Sequence, residues 1–120
     1  MWFVLLKNVS KKKIIIPKHK LCEGADQAIG LMFSLKKNFN YALIFDRKEE
    51  TKIGAAIHMF FVFYPINILF LNSKKEVVDI KENLKPFFMY TPKKKARYII
   101  ELPTSVDLKG VKLRDIVSWC

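Results

Sequence analysis

The stretch "GAAIHMFFVFYPINILFL", residues 54–71, is the most apolar part of the chain and decides how the fold is predicted. Of its 18 residues, 14 are of the types A, V, I, L, M, F, W, Y or C. A membrane helix needs about 20 apolar residues, so length alone allows a span. However, His58, Pro65 and Asn67 lie near its centre, and its aromatic and β-branched residues are typical of strands. The stretch predicts two core strands rather than a span, with an interfacial segment as the remaining alternative.

Alternation along residues 57–64 places apolar side chains on both faces of the first strand. One face would carry Ile57, Met59, Phe61 and Phe63, and the other His58, Phe60, Val62 and Tyr64. Apolar residues on both faces are typical of a strand covered on both sides. Pro65 lacks the N–H that a strand donates in mid-sheet, so it predicts a bend before a second strand at residues 66–71.

The remainder of the chain is predicted as short strands joined by turns. Strands are predicted at residues 2–8, 14–23 (interrupted at Pro17), 40–46, 66–71, 76–80, 96–103 and 115–119. The turn near Ser10 would pair the first two strands as a hairpin, and the four-residue loop at 72–75 would join 66–71 with 76–80 in a second hairpin. A charged loop is predicted at 47–52, one amphipathic helix at 25–34, and a turn or short helix at 104–110. Little room is left for crossover helices. The sequence therefore predicts a mainly β (α+β) fold: a single small antiparallel, partly closed β-barrel-like sheet with one or two short helices, in one domain over residues 1–120.

The chain is strongly basic, with 19 Lys and 3 Arg and a net charge of +11. A chain with this charge is able to bind RNA, DNA or an anionic membrane surface. The Lys runs at 11–13, 36–37, 74–75 and 93–95 lie between apolar runs, where turns are expected. Lys-rich turns are also common at the solvated edges of a sheet, and Lys enrichment is typical of hyperthermophile proteins. A functional anionic partner and a purely solvated surface both stay open.

Cysteine usage and the N-terminus favour a cytoplasmic protein. Cys22 and Cys120 form no C-x-x-C pattern, so neither a zinc site nor a redox motif is indicated. Free thiols are expected, with a disulfide between the two as the alternative. The apolar run at residues 2–6 precedes its charges, the reverse of a signal peptide.

Four motifs resemble a known family in their order and spacing. They are "IGLMF" at 29–33, "IHMFFVFYPINILFLNSKKEVVDI" at 57–80, "YIIELP" at 98–103 and "GVKLRDIVSW" at 110–119. Over residues 22–119 the chain is similar to archaeal members of the uncharacterised domain-of-unknown-function family numbered 192. The resemblance implies a compact β-rich domain with a short helix after the second strand, and no reaction, cofactor or substrate. Asn67 stands where the family usually has an acidic residue, and Arg114 precedes Asp115 where it usually has Gly before Asp, which puts a shared carboxylate chemistry in doubt.

Polar residues in and near the opening stretch form the first candidate site. His58, Tyr64 and Asn67, joined by Glu101 from a later strand, would make a small ligand-binding site if they project to one side across the Pro65 bend. A His beside a Glu can act as a general base, although one His with scattered carboxylates has no recognised metal spacing. No metal and no cofactor are predicted, and catalytic residues stay unknown. The alternative is a core histidine with satisfied hydrogen bonds.

The segment "PFFMY" at residues 86–90, followed by a Lys run, is the second candidate surface. Its members are Phe87, Phe88, Tyr90, Lys93, Lys94 and Lys95. Aromatic residues interleaved with Lys are able to stack on single-stranded nucleic acid. The same residues, together with Met89, would otherwise form an apolar lid or a patch that binds a partner.

Three functions follow from these features. The first is a non-catalytic binding or interaction domain for an unknown small ligand or protein. The second is a basic protein associated with RNA, DNA or the ribosome through its Lys clusters. The third is a small hydrolase-like enzyme centred on His58 and Glu101, for which the chain offers neither a nucleophile motif nor a phosphate loop.

Overall fold

The computed structural model describes residues 6–22, 31–32 and 34–119, with the backbone alone for residues 20–22. Within those ranges the chain forms ten strands and two short 3-10 helices. The strands are β1 (Leu6–Asn8), β2 (Lys13–Ile16), β3 (His19–Cys22), β4 (Ala42–Thr51), β5 (Ile57–His58), β6 (Ile66–Leu71), β7 (Val77–Leu84), β8 (Met89–Tyr90), β9 (Ala96–Pro103) and β10 (Val117–Ser118). The 3-10 helices are Lys36–Asn38 and Ile53–Ala55.

A five-stranded sheet in the order β3-β4-β9-β6-β7 forms the centre of the structure. Its pairs are antiparallel except for β3 with β4, which run parallel. All six residues of β6 are buried. Ile66, Ile68 and Phe70 pack in one apolar cluster, whereas Leu69 and Leu71 pack in a second cluster on the other face. The second half of the opening stretch is therefore a strand covered on both sides, as its apolar run predicts.

Two smaller sheets flank this centre. Strands β10, β1 and β2 form one, and β5 and β8 form an antiparallel ribbon. The predicted hairpin near Ser10 is confirmed, because β1 and β2 pair antiparallel. The bend at Pro17 separates β2 from β3, and these two strands belong to different sheets.

The mainly β prediction is confirmed, and so are the hairpin of β6 with β7 and the strand at 96–103. In the described part of the chain each sheet is open, with no closed barrel. The predicted loop at 47–52 is wrong over most of its length, because β4 continues to Thr51 past an irregularity between Asp46 and Thr51. Residues 104–110 form turns. Three predictions concern residues that lie mainly or wholly outside the described ranges. They are the helix at 25–34, the strand at residues 2–5, and the free thiols of Cys22 and Cys120.

The first half of the opening stretch does not form the predicted long strand. Only Ile57–His58 is a strand, and a turn follows in which the N–H of Val62 donates to the carbonyl of Met59 at 3.2 Å. This turn reverses the alternation, so Ile57 and Met59 are buried before it, and Val62 and Tyr64 after it. Three aromatic side chains predicted to be core are exposed instead: Phe60, Phe61 and Phe63. Within the described residues, no helix has the length and apolar character needed to cross a membrane.

Candidate binding surface

Two tight turns lie side by side at the end of the β5–β8 ribbon. The first spans Met59 to Val62, and the second spans Lys85 to Phe88, where the N–H of Phe88 donates to the carbonyl of Lys85 at 3.2 Å. The Met59 carbonyl also accepts the N–H of Phe87, and the Met59 N–H donates to the carbonyl of Phe88, both at 2.8 Å. Backbone hydrogen bonds therefore join the two turns into one unit.

Both turns place a phenylalanine where the backbone favours glycine. Phe61 has φ of 59° and Phe87 has φ of 67°. Each is the third residue of its turn, and a positive φ there is the geometry for which Gly or Asn is preferred. A bulky residue in this conformation costs about 1–3 kcal/mol, and such strain clusters at functional sites. Five other described non-Gly residues also have positive φ, but Phe61 and Phe87 are the two aromatic residues among the seven.

The turns and the ribbon expose a continuous apolar surface, here called the phenylalanine patch. Its members are 45–63% exposed: Phe60, Phe61, Phe63, Phe87, Phe88 and Met89. The ring of Phe87 makes T-shaped contacts with the rings of Phe61 and Phe63, with centroids 6.3 Å and 5.8 Å apart. With about 200 Å² for each large side chain, half exposure gives a patch on the order of 600 Å², at the upper end of what monomers show.

His58 lies at the margin of this patch and not in the core. It is exposed, its ring packs against Phe60 with centroids 5.2 Å apart, and its Nδ1 accepts the N–H of Phe60 at 3.3 Å. In the ribbon it stands opposite Met89. The hypothesis of a buried core histidine therefore does not apply to His58. The described chain does bury a histidine elsewhere, at His19 on β3.

Asn67 and Glu101 occupy opposite faces of the central sheet. Asn67 stands opposite Leu102 on the face of the second cluster, and its Oδ1 accepts the N–H of Asn83 at 2.8 Å. Glu101 stands opposite Ile68 on the other face. The polar site expected from His58, Asn67 and Glu101 is therefore not assembled. Strand register places Asn67 and Glu101 on opposite faces of the central sheet, and His58 is exposed on the β5–β8 ribbon.

Glu101 and Tyr64 are the two predicted site residues that the fold brings near each other. Burial raises the pKa of the Glu101 carboxyl to about 7, against the opposing charge of Arg47. Burial also raises the pKa of the Tyr64 hydroxyl, with a smaller contribution from the charge of Glu101, and that hydroxyl is hydrogen-bonded to Ser34. A buried carboxyl that titrates near neutrality is able to hold or release a proton. No group of three His, Cys, Asp or Glu side chains placed to hold a metal ion occurs in the described ranges.

Tyr90 anchors the ribbon instead of facing solvent as a stacking platform. Its hydroxyl donates to Asp79 Oδ2 at 2.6 Å, and its ring packs against Phe70 with centroids 5.7 Å apart. Burial, with the Asp79 hydrogen bond, raises the pKa of Tyr90 to about 12. The backbone N–H of Lys93 donates to the same carboxylate oxygen at 3.0 Å. These contacts fix β8 on β7 and thereby hold the second turn of the patch in place.

The remaining predicted surface residues are exposed, as expected. Phe87 and Phe88 belong to the phenylalanine patch, and the side chains of Lys93, Lys94 and Lys95 reach solvent. Sequence reasoning missed Phe60, Phe61 and Phe63, which alternation assigns to the core. No turn-forming residue marks the turn at 59–62, since it contains neither Gly nor Asn, and a turn there shifts the alternation of the residues after it.

The fold and this surface define a small mainly β domain with an exposed aromatic patch on a basic chain. The chain belongs to the DUF192 family, described as "Uncharacterized ACR", whose profile matches residues 21–118. The resemblance noted in the sequence is thereby confirmed.

Relatives from archaea share most of the chain. A UPF0127 protein of Thermococcus sibiricus is 39% identical over 117 residues, which is 96% of this chain and 74% of the relative. A UPF0127 protein of Pyrococcus furiosus is 38% identical over 114 residues, or 93% of this chain and 95% of the relative. The crystal structure of a protein of unknown function from Novosphingobium aromaticivorans has a TM-score of 0.78 at 23% identity, covering 96% of this chain and 82% of that one. That likeness shows the same fold.

Proposed function

We propose that this protein is a non-catalytic interaction domain whose phenylalanine patch docks a segment of another protein that carries apolar and acidic side chains. The observation that carries the proposal is the pair of hydrogen-bonded turns that expose Phe61 and Phe87 in a strained backbone conformation. Strained backbone conformations of this kind cluster at functional sites, which supports a binding role for the two exposed rings. The size of the phenylalanine patch matches a small, transient interface with micromolar affinity.

Composition favours a protein over a lipid surface or nucleic acid. The centres of protein interfaces are rich in Phe and Met and poor in Lys, which describes the patch. Membrane interfaces select Trp and Tyr, and the patch contains neither. Nucleic-acid stacking needs open ring faces, but Phe61 and Phe63 meet Phe87 at 71° and 69°, and Tyr90 is engaged with Asp79.

Charge around the patch selects an acidic partner. Residues 81–95 contain five Lys and one Glu, and residues 52–65 contain one Lys and no acidic residue. Two copies of the chain would bring these basic margins together, each copy having a net charge of +11. Like charges across an interface are unfavourable, so a second copy is a poor occupant, whereas an acidic segment is drawn to the surface.

A peptide-display selection tests the proposal. The wild-type protein is the target, and the variant Phe61→Asn/Phe87→Asn is used for counter-selection. Asn tolerates a positive φ, so the variant is expected to keep the fold while it loses two rings of the patch. Leu113→Asn removes an exposed apolar side chain that lies outside the patch and serves as the matched control.

We expect the selected peptides to combine Leu, Ile or Phe with Asp or Glu, and to bind wild type and Leu113→Asn at micromolar dissociation constants. Binding to the double variant should be at least tenfold weaker. Selected peptides without acidic residues, or equal binding to the double variant, would overturn the proposal. Single-stranded RNA and anionic vesicles are tested in the same way. If either binds the wild-type protein more tightly than the peptides do, and loses this binding in the double variant, the partner is a nucleic acid or a membrane and the proposed protein partner is wrong.

A further inference from the structure

A cavity of about 250 Å³ opens where β6 begins and β9 ends. It shares no lining residue with the phenylalanine patch. Two buried rings form part of its wall, Phe39 and Tyr64, with centroids 5.9 Å apart and planes tilted by 40°. Pro65 and Pro103 line it at the strand ends, next to the register pair Ile66–Pro103. Proline fixes its own φ, Pro103 is held by its pairing with Ile66, and Pro65 directly precedes that paired residue, so this apolar wall is preformed.

The polar part of the lining comes from two turns at the mouth. Lys36, in the first 3-10 helix, lines the mouth with a side chain that carries an ammonium group, and Thr104 and Ser105 line it as residues with hydroxyl side chains. The latter two are the central residues of a turn in which the N–H of Val106 donates to the carbonyl of Pro103 at 3.1 Å. Among the ion pairs of described residues, Lys11 pairs with Asp115 and Lys48 with Asp46, and none includes Lys36.

This combination defines a ligand chemistry. Ligand sites are concave and mostly apolar, with a few polar groups that fix orientation, and the volume lies just below their usual range of about 300–1,000 Å³. Two ring walls accommodate one flat or branched apolar group. One cation with adjacent hydroxyl donors is suited to a carboxylate at the mouth, since charge-assisted hydrogen bonds are the strong ones.

We infer that this cavity binds a small carboxylate with a single aromatic or branched aliphatic group. The carboxylate lies toward Lys36 and the hydroxyls of the 104–105 turn, and the apolar group lies against Phe39 and Tyr64. The inference rests on the cavity alone. It neither requires nor follows from docking at the phenylalanine patch.

Titration of the labelled protein with three matched probes tests this inference. Benzoate, benzyl alcohol and benzylamine share one ring and differ in charge at the polar end. Amide NMR spectra should show benzoate shifting Phe39, Tyr64 and Ser105 with a millimolar dissociation constant. Benzyl alcohol should bind at least threefold more weakly and benzylamine at least tenfold more weakly.

A pair of neighbouring lysines provides the variant and its control. Lys36→Met should weaken benzoate at least fivefold, whereas Lys37→Met, in the same 3-10 helix but outside the lining, should leave the affinity within twofold. Circular dichroism checks that both variants keep the fold. Equal affinity for benzylamine, an unchanged affinity in Lys36→Met, or no shift at these residues up to 20 mM benzoate would overturn the inference.

Discussion

The buried carboxyl of Glu101 makes a quantitative prediction about stability and pH. Burial raises its pKa from 4.5 to about 7, so the folded state holds the proton more tightly than the unfolded state. Stability therefore falls as pH rises from 4.5 to about 7 and stays reduced above that. With about 1.4 kcal/mol for each pKa unit, ionisation of Glu101 lowers the free energy of unfolding by roughly 3 kcal/mol. Glu101→Gln removes this titration with almost no change in shape.

Chemical denaturation of the parent and Glu101→Gln from pH 4 to pH 8 measures the effect. We expect the free energy of unfolding of the variant to rise relative to that of the parent as the pH increases. At pH 8 the variant should be more stable by roughly 3 kcal/mol. Groups that both proteins share, including the two histidines, cancel in the difference. A difference that does not change with pH, or a parent that is more stable at pH 8, would refute the reasoning.

Three further predictions concern the core and its buried polar groups. Phe70→Ala removes a fully buried ring and should lower the free energy of unfolding by about 3–5 kcal/mol, whereas the exposed ring of Phe63 should tolerate the same change at less than about 1 kcal/mol; equal costs in denaturation would contradict the assignment of faces. Tyr90→Phe removes the hydroxyl donor to the buried Asp79, which keeps only the backbone N–H groups of Ile80 and Lys93. Loss of this charge-assisted hydrogen bond should cost about 1–3 kcal/mol by the same measurement, and an unchanged midpoint would show that it contributes nothing. Burial acts to raise the pKa of Asp115, but the hydrogen bonds it accepts hold that pKa below 3.8. Its contribution is therefore present above pH 3.8 and lost as the pH falls through the lower folded value, so melting temperatures measured from pH 5 to pH 2 should fall less in Asp115→Asn than in the parent.

The central strands could be predicted from the sequence because their signals are local. Strand β6 is an unbroken apolar run, the turn formers at 72–75 close its hairpin with β7, and β9 lies between the Lys run and the turn at 104–110. Each of these patterns needs only neighbouring residues to be interpreted. The family resemblance rests on the same segments.

The candidate site depended on information that local patterns do not contain. The exposure of Phe60, Phe61 and Phe63 follows from a turn with positive φ at Phe61, and no Gly or Asn marks that turn. The separation of Asn67 from Glu101 follows from the register of β6 with β9, which a sequence pattern leaves open. Strand β4 extends through the charged residues 47–50 because its pairing with β9 resumes at Thr51, opposite Ala96, after an irregularity, and the composition of 47–51 does not suggest this second point of pairing.

Amide NMR mapping of a selected acidic peptide tests the central claim most directly, since it reports where on the surface the peptide binds. The proposed interaction domain predicts that the largest shifts fall on residues 58–63 and 87–90, and that they vanish in Phe61→Asn/Phe87→Asn. The largest shifts at the Lys36 cavity, or along the Lys runs at 11–13 and 74–75 with the patch unaffected, would contradict it.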